Sequence, residues 1–117
     1  MLKVKEKGLL LNIIKHCERI NQKIINVSKE EFKQNQDLRE IVALNLIQIG
    51  ELVHLFDANF TKKYDAIKWH QIRGIRNHVV HGYDTIDIDV IWDTITKDIG
   101  FLLNYCHEIL CLNDESK

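Results

Sequence analysis

The densest chemistry in the chain lies between Trp69 and Tyr83, in the run Trp69-His70-Gln71-Ile72-Arg73-Gly74-Ile75-Arg76-Asn77-His78-Val79-Val80-His81-Gly82-Tyr83. It gathers three of the six histidines, two of the five glycines, two arginines, an asparagine and a tyrosine. Histidine is the side chain best matched to moving protons near neutral pH. Arginine offers a fixed fork of donors to a phosphate, including the charge that develops on it during displacement. Asparagine can hold a phosphate oxygen or fix a histidine tautomer. Arg76, Asn77 and His81 together suit cleavage of RNA by attack of the neighbouring 2′-hydroxyl on phosphorus, a reaction that needs no metal and no cofactor. In that scheme His81 takes or delivers the proton and Arg76 stabilises the phosphorane.

Spacing limits which of these residues can cooperate. On a helix of 3.6 residues per turn, Arg73, Asn77 and His81 stand at i, i+4 and i+8 and drift by only ~40° per step. Arg76 and His81, five apart, stand ~140° from one another on an unbroken helix. They serve one cavity only if the helix ends around Gly82 or if a second copy of the chain completes the cavity. The same residues also have a plain structural reading. A histidine near a helix C-terminus complements the dipole, and residues 73–83 are then a polar patch without chemistry. His78 and His81, at i and i+3, could share a metal. Only Cys106-His107 offers a comparable pair, and no third ligand has zinc spacing, so no metal site is assigned. His16, His54, His70 and His107 read as surface or edge residues, and Trp69 and Trp92 as core anchors.

The elements that must position this segment are long and apolar-striped. Leu10, Ile13, Ile14, Cys17, Ile20, Ile24 and Val27 recur in steps of three and four, which marks one face of a helix over about 3–27. Lys15, Glu18, Arg19 and Lys23 take its other side. Ser28 and Glu31 fit a capping box that opens a second helix, and Asn35-Gln36 can host a break. A third stripe follows in Leu38, Ile41, Val42, Ile49, Leu52, Val53 and Phe56, with Asn45 on the same face as either a satisfied core amide or a residue turned to the polar centre. Leu44, Ile47 and Leu55 form a second apolar side, so this helix needs two partners and sits centrally or contributes to a subunit interface. Gly50, in mid-helix, suits close approach of a neighbouring backbone. Asp57 to Thr61 reads as a connection and Lys62 to Ala66 as a helical turn. The central helix runs from Trp69 to about His81, with Gly82 as a left-handed cap. The last helix starts near Asp84–Asp87 and continues through Ile88, Ile91, Trp92, Ile95, Ile99, Leu102, Leu103, Cys106, Ile109 and Leu110. The expected architecture is all-α, an antiparallel four- to five-helix bundle. Residues 1–112 form its single domain and residues 113–117 a polar tail.

Composition agrees with that class. A chain of 117 residues with no proline, 45% hydrophobic and 28% charged residues favours one compact helical domain over a turn-rich β fold or disorder. A net charge of -1 supplies no global field toward nucleic acid. The local balance differs: Lys62, Lys63, Lys68, Arg73 and Arg76 face only Asp65 over residues 60–83. Over residues 84–98, Asp84, Asp87, Asp89, Asp93 and Asp98 face only Lys97. The polar centre thus has a basic approach and an acidic exit. Cys17, Cys106 and Cys111 have no CxxC spacing and read as reduced core thiols of a cytoplasmic protein. No run approaches membrane-spanning length and no signal-peptide pattern opens the chain.

The central segment also resembles a known family, the HEPN domains, and within them the HepT-like toxins. Arg76 to Tyr83 matches the family's R-x4-H-x-Y motif. Trp69, Ile72, Gly74, Arg76 and Asn77 match its W-x-x-I-x-G-x-R-N, and Ile49-Gly50-Glu51 its I-G-E. Asp87 and Trp92 stand where the family has an Asp and a Trp after the Tyr. The resemblance spans roughly residues 38–103, and the first helix follows it in pattern only. It departs in lacking the proline that commonly precedes the tryptophan, where this chain has Ile67-Lys68. The resemblance implies an all-helical homodimer with the two motif segments meeting at the interface. It implies a metal-independent endoribonuclease with Arg76 and His81 catalytic and Asn77 supporting; Arg73, one turn before Asn77 on the same row, is added as a second supporting residue from its spacing alone. It further implies a toxin–antitoxin pair, in which a minimal nucleotidyltransferase antitoxin silences the toxin by transferring AMP to Tyr83. The alternative is a non-enzymatic accessory subunit that binds nucleotide or substrate for a nucleotidyltransferase, and a third reading is a helical interaction module whose polar centre fixes dimer register.

Overall fold

In the computed structural model the backbone is described for residues 2–82 and 88–113, and side chains for residues 2–75 and 88–113. Every regular element among these residues is helical. The first, α1 (Val4–Ile24), buries Leu10, Ile13, Ile14, Cys17 and Ile20 and exposes Lys15, Glu18, Arg19 and Lys23. It ends where Asn26 takes a left-handed backbone at φ 60°, a conformation that asparagine tolerates better than most residues. Ser28 then opens α2 (Lys29–Gln34) as expected: its Oγ accepts from the Glu31 N–H at 3.1 Å, and the Glu31 carboxylate accepts from the Ser28 N–H at 3.0 Å. The break at residue 35 is also found. Asn35 Oδ1 accepts from the Leu38 N–H at 3.0 Å and starts α3 (Gln36–His54), while the Arg39 guanidinium donates back to the carbonyls of Phe32 and Lys33.

The helices run up and down. Lys3, just ahead of α1, lies 3.7 Å from Asp57, just beyond α3, so α1 and α3 are antiparallel. Asp57 caps α4 (Ala58–Lys63) by accepting from the Phe60 N–H at 2.9 Å. This short helix begins earlier than the turn expected over Lys62–Ala66, because the Asp57 carboxylate supplies the cap. Next comes α5 (Trp69–Gly82), which packs chiefly on α3. The helix includes Gly82, and no described glycine has a left-handed backbone, so Gly82 is a helical residue and not the left-handed cap expected from the sequence.

The last helical run has three parts: α6 (Ile88–Asp93), a π-helical segment over Thr94–Asp98, and α7 (Ile99–Leu112). A single uninterrupted α-helix was the expectation. Instead Thr94 and Thr96 hydroxyls donate to the carbonyls of Val90 and Trp92 at 2.8 and 2.7 Å, the back-bonding that disturbs the regular ladder. α1 lies between α3 and α7, and their stripes form one core with Phe32, Leu46, Ile49, Ile95, Ile99 and Ile109 fully enclosed. The whole measures 46 × 27 × 19 Å.

Part of the acidic stretch after the polar centre is spent on holding α2 to α6. Asp89 lies 2.8 Å from Lys29 and 3.3 Å from Lys33, beside the Phe32–Trp92 ring contact at 5.2 Å. Hydrogen bonds from Lys29 and then Lys33 hold the Asp89 carboxyl below the usual carboxylate range. A depressed folded value means that this contribution is present above the unfolded pKa (~3.9) and disappears as pH falls through the folded value. Asp89→Asn should therefore lower Tm relative to wild type at neutral pH. The gap should close toward the acid end of a Tm-against-pH series, and shrink with added salt because the pair is exposed.

Candidate active site

The head of α5 is set by aromatic packing. Trp69 is buried, with its ring centroid 5.4 Å from Phe56, 5.9 Å from Phe60 and 6.3 Å from Tyr105. Phe56 and Phe60 stack face to face at 4.0 Å. The indole N–H donates to the Tyr64 carbonyl at 2.6 Å, so the one polar atom of the anchor is satisfied. The Tyr105 hydroxyl accepts from the Ala66 N–H at 3.4 Å. Asn113, assigned to the tail on sequence, donates its amide to the Tyr64 hydroxyl at 3.0 Å. These bonds pin the α4–α5 turn to the end of α7. With Trp69 and Ile72 buried, His70, Gln71 and Arg73 are left exposed.

Arg73, the one candidate site residue whose side chain is described, lies on the wall of a cleft of ≈ 410 Å³ at the head of α5. Lys62, Lys68 and His70 share the rim, and Phe56, Ile67 and Trp69 form the apolar floor. The basic approach noted in the sequence thus becomes a cationic opening. Its lysines come from α4 and from the residue before α5, and only the intervening turn brings them together. The side chains of Arg76, Asn77, His78 and His81 lie outside the described residues, as do Tyr83 and Asp87 altogether. The backbone of α5 nevertheless fixes the order of positions along it. Position 77 lies ~6 Å and position 81 ~12 Å beyond Arg73 along the axis. Positions 70 and 81 fall within ~20° of each other on a regular helix, while positions 76 and 81 stand ~140° apart.

The remaining candidates separate cleanly. Of the Ile49-Gly50-Glu51 triplet on α3, Ile49 and Gly50 are buried and Glu51 is exposed. Asn45 is a core amide with its bonds made: its Nδ2 donates to the Ile41 carbonyl at 2.9 Å, and its Oδ1 lies 2.8 Å from His16 Nδ1. That arrangement requires the proton on His16 Nδ1. His16 is half-buried on α1, an edge position as expected, and there it is the structural partner of Asn45. Nothing local signals this pair, whose members are separated by 29 residues. His54, His70 and His107 are exposed as expected, and Trp92 is half-buried against Phe32.

Cys17 and Cys106 are core thiols that burial pushes up, Cys106 to about 12, which leaves them unreactive as nucleophiles. Cys111, expected in the core, is exposed. Among the described residues no three His, Cys, Asp or Glu side chains gather to hold a metal ion. Among the same residues no helix is long and apolar enough to cross a membrane.

Comparison with known proteins places this geometry in a family. The model of a family described as "Ribonuclease HepT-like" matches residues 13–109, a span that reaches back through most of α1 and beyond the segment recognisable by motif. A protein of Caldanaerobacter subterraneus subsp. tengcongensis, named as a candidate RNase, is 31% identical over 101 residues, covering 86% of this chain and 90% of its own. A candidate RNase of Methanocaldococcus jannaschii is 26% identical over 93 residues, covering 80% and 85%. A probable ribonuclease HepT of Thermococcus cleftensis is 26% identical over 101 residues, covering 86% and 92%. No solved structure gives a significant match. The chain belongs to the HepT-like ribonuclease family.

Proposed function

We propose that this chain is the toxin of a toxin–antitoxin pair, a cytoplasmic endoribonuclease that cuts RNA without a metal ion, with residues 1–112 as its single domain. The observation that carries the reading is α5 itself. One helix, packed on α3 and anchored at its head by the buried Trp69, bears Arg73, Arg76, Asn77 and His81 and opens there on the cationic cleft. In the proposed reaction His81 accepts the 2′-hydroxyl proton as the 2′-oxygen attacks the adjacent phosphorus. Arg76, assisted by Asn77 and Arg73, stabilises the added negative charge of the phosphorane. The bond to the 5′-oxygen then breaks, that oxygen takes a proton from water while His81 returns its own to solvent, and a 2′,3′-cyclic phosphate and a 5′-hydroxyl end remain.

The working unit is proposed to be a homodimer. Two observations favour it. An unbroken helix separates positions 76 and 81 by ~140°, so a cavity served by both needs a wall from elsewhere. And Ile41 and Leu44 of α3, with Leu55 just beyond it, are 39%, 59% and 49% exposed on one side, next to exposed Gln48 and Glu51. Ile41, read as core from the sequence, belongs to this outer side because Leu38, Val42 and Asn45 take the inner face.

Regulation follows from the position of Tyr83, two residues beyond His81. A nucleotidyltransferase antitoxin that moves AMP from ATP to the Tyr83 hydroxyl, releasing pyrophosphate, would place bulk and negative charge beside the site and repel RNA.

Cleavage of an RNA substrate in EDTA tests the catalytic reading. His81→Ala and Arg76→Ala should each reduce the rate by about 100-fold or more with unchanged helical circular dichroism. Equal rates in wild type and both variants would sink it, and nucleotide binding lost in Arg76→Ala without any RNA cleavage would favour the accessory-subunit alternative. Mass spectrometry after co-expression with the antitoxin should find one or more AMP units on Tyr83. An unmodified Tyr83 in a silenced complex would rule out this mode of control.

A further inference from the structure

We infer that the cleft at the head of α5 is a nucleotide subsite, which holds a residue of the RNA strand flanking the bond to be cut. The proposal rests on the reading of α5 as the cleaving helix and adds to it where the strand lies.

Three observations support it. First, Lys62, Lys68 and Arg73 converge on one opening from α4, the α4–α5 turn and α5. Among the described residues no carboxylate forms an ion pair with any of them, and Asp65, the acid nearest in sequence, is not on the lining. Converging cations without an acidic partner repel one another and favour an anion between them. Second, the floor is apolar and partly aromatic, formed by Phe56, Ile67 and Trp69. A cationic rim over an apolar floor matches a nucleotide, with phosphate above and the flat base below, better than it matches a simple anion. Third, His70 and position 81 share one side of α5, within ~20° and three turns apart. A single strand whose scissile bond lies beside position 81 can follow that side directly into the cleft. His70, exposed at the mouth, then supplies a further donor or a ring for the base.

The test is binding of a single-stranded RNA dodecamer carrying 2′-O-methyl groups throughout, which cannot be cut by 2′-oxygen attack. Its affinity is followed by fluorescence anisotropy over a range of salt concentrations for wild type and for the double variant Lys62→Gln, Lys68→Gln. Both lysines are exposed, so the fold is expected to survive, which an unchanged melting temperature checks. Losing the contact to the one phosphate that both lysines face should reduce the slope of log K against log salt by about 0.7 on a single strand. A wild-type slope in the double variant would overturn the subsite, as would no binding of the dodecamer by wild type. So would loss of AMP binding in the variant with the RNA slope intact, which would assign the cleft to a free nucleotide. Because the probe is uncleavable, this result stands apart from the catalytic reading. RNA cutting that depends on His81, together with an unchanged slope, would leave the mechanism standing and remove only the subsite.

Discussion

The seat of Trp69 is the constraint on which the rest of the structure turns. A fully formed helix has no preferred rotation about its own axis until something large is buried on one side of it. Here the indole is held among Phe56, Phe60 and Tyr105, and its N–H has a single partner in the Tyr64 carbonyl. That fixes the start of α5 in rotation as well as position. Because α5 continues as one helix to Gly82, the rotation set at Trp69 is inherited by every later position. The exposed row at His70 and Arg73 and the inner row at Trp69 and Ile72 are two consequences of one buried side chain.

α3 is the second determinant, since it is packed by α1 on one side and α5 on another. Where it meets those neighbours α3 carries apolar, small or neutral groups, among them Ala43, Asn45 and the buried Gly50, while Asp37, Glu40 and Glu51 lie on its exposed side. The His16–Asn45 pair crosses its contact with α1. A buried amide with both ends bonded fixes one register of two otherwise interchangeable apolar stripes. On its outward side Ile41, Leu44 and Leu55 are exposed apolar groups among Gln48 and Glu51, and this is the surface that a proposed second copy would cover.

Much of this was legible in the residues themselves, for identifiable reasons. The stripe of α1, the Ser28–Glu31 box, the break at Asn35 and the core role of Trp69 are local signals or follow from side-chain size. What stayed hidden was non-local or decided by competition. The His16–Asn45 bond was hidden because its two members lie on different helices. Ile41 looked like core because its spacing fits the stripe, yet Leu38, Val42 and Asn45 together turn the inner face away from it. The π segment was masked by Ile88, Ile91, Trp92, Ile95 and Ile99, whose steps of three and four tolerate one extra residue per turn, while Thr94 and Thr96 gave the only hint. At the site, the family motif and the charge surplus over residues 60–83 were visible. The joining of Lys62 with Lys68 and Arg73 was not, since it depends on the turn through Tyr64.

The central claim is that this helix directs a 2′-oxygen onto the neighbouring phosphorus of RNA. Nothing tests that more directly than the chemical identity of the ends it leaves. End-group analysis of the fragments, made in EDTA and resolved by mass spectrometry, should find 2′,3′-cyclic phosphate on one fragment and 5′-hydroxyl on the other. Fragments ending in 3′-hydroxyl and 5′-phosphate would contradict the account, because they require water or another outside nucleophile in place of the 2′-oxygen.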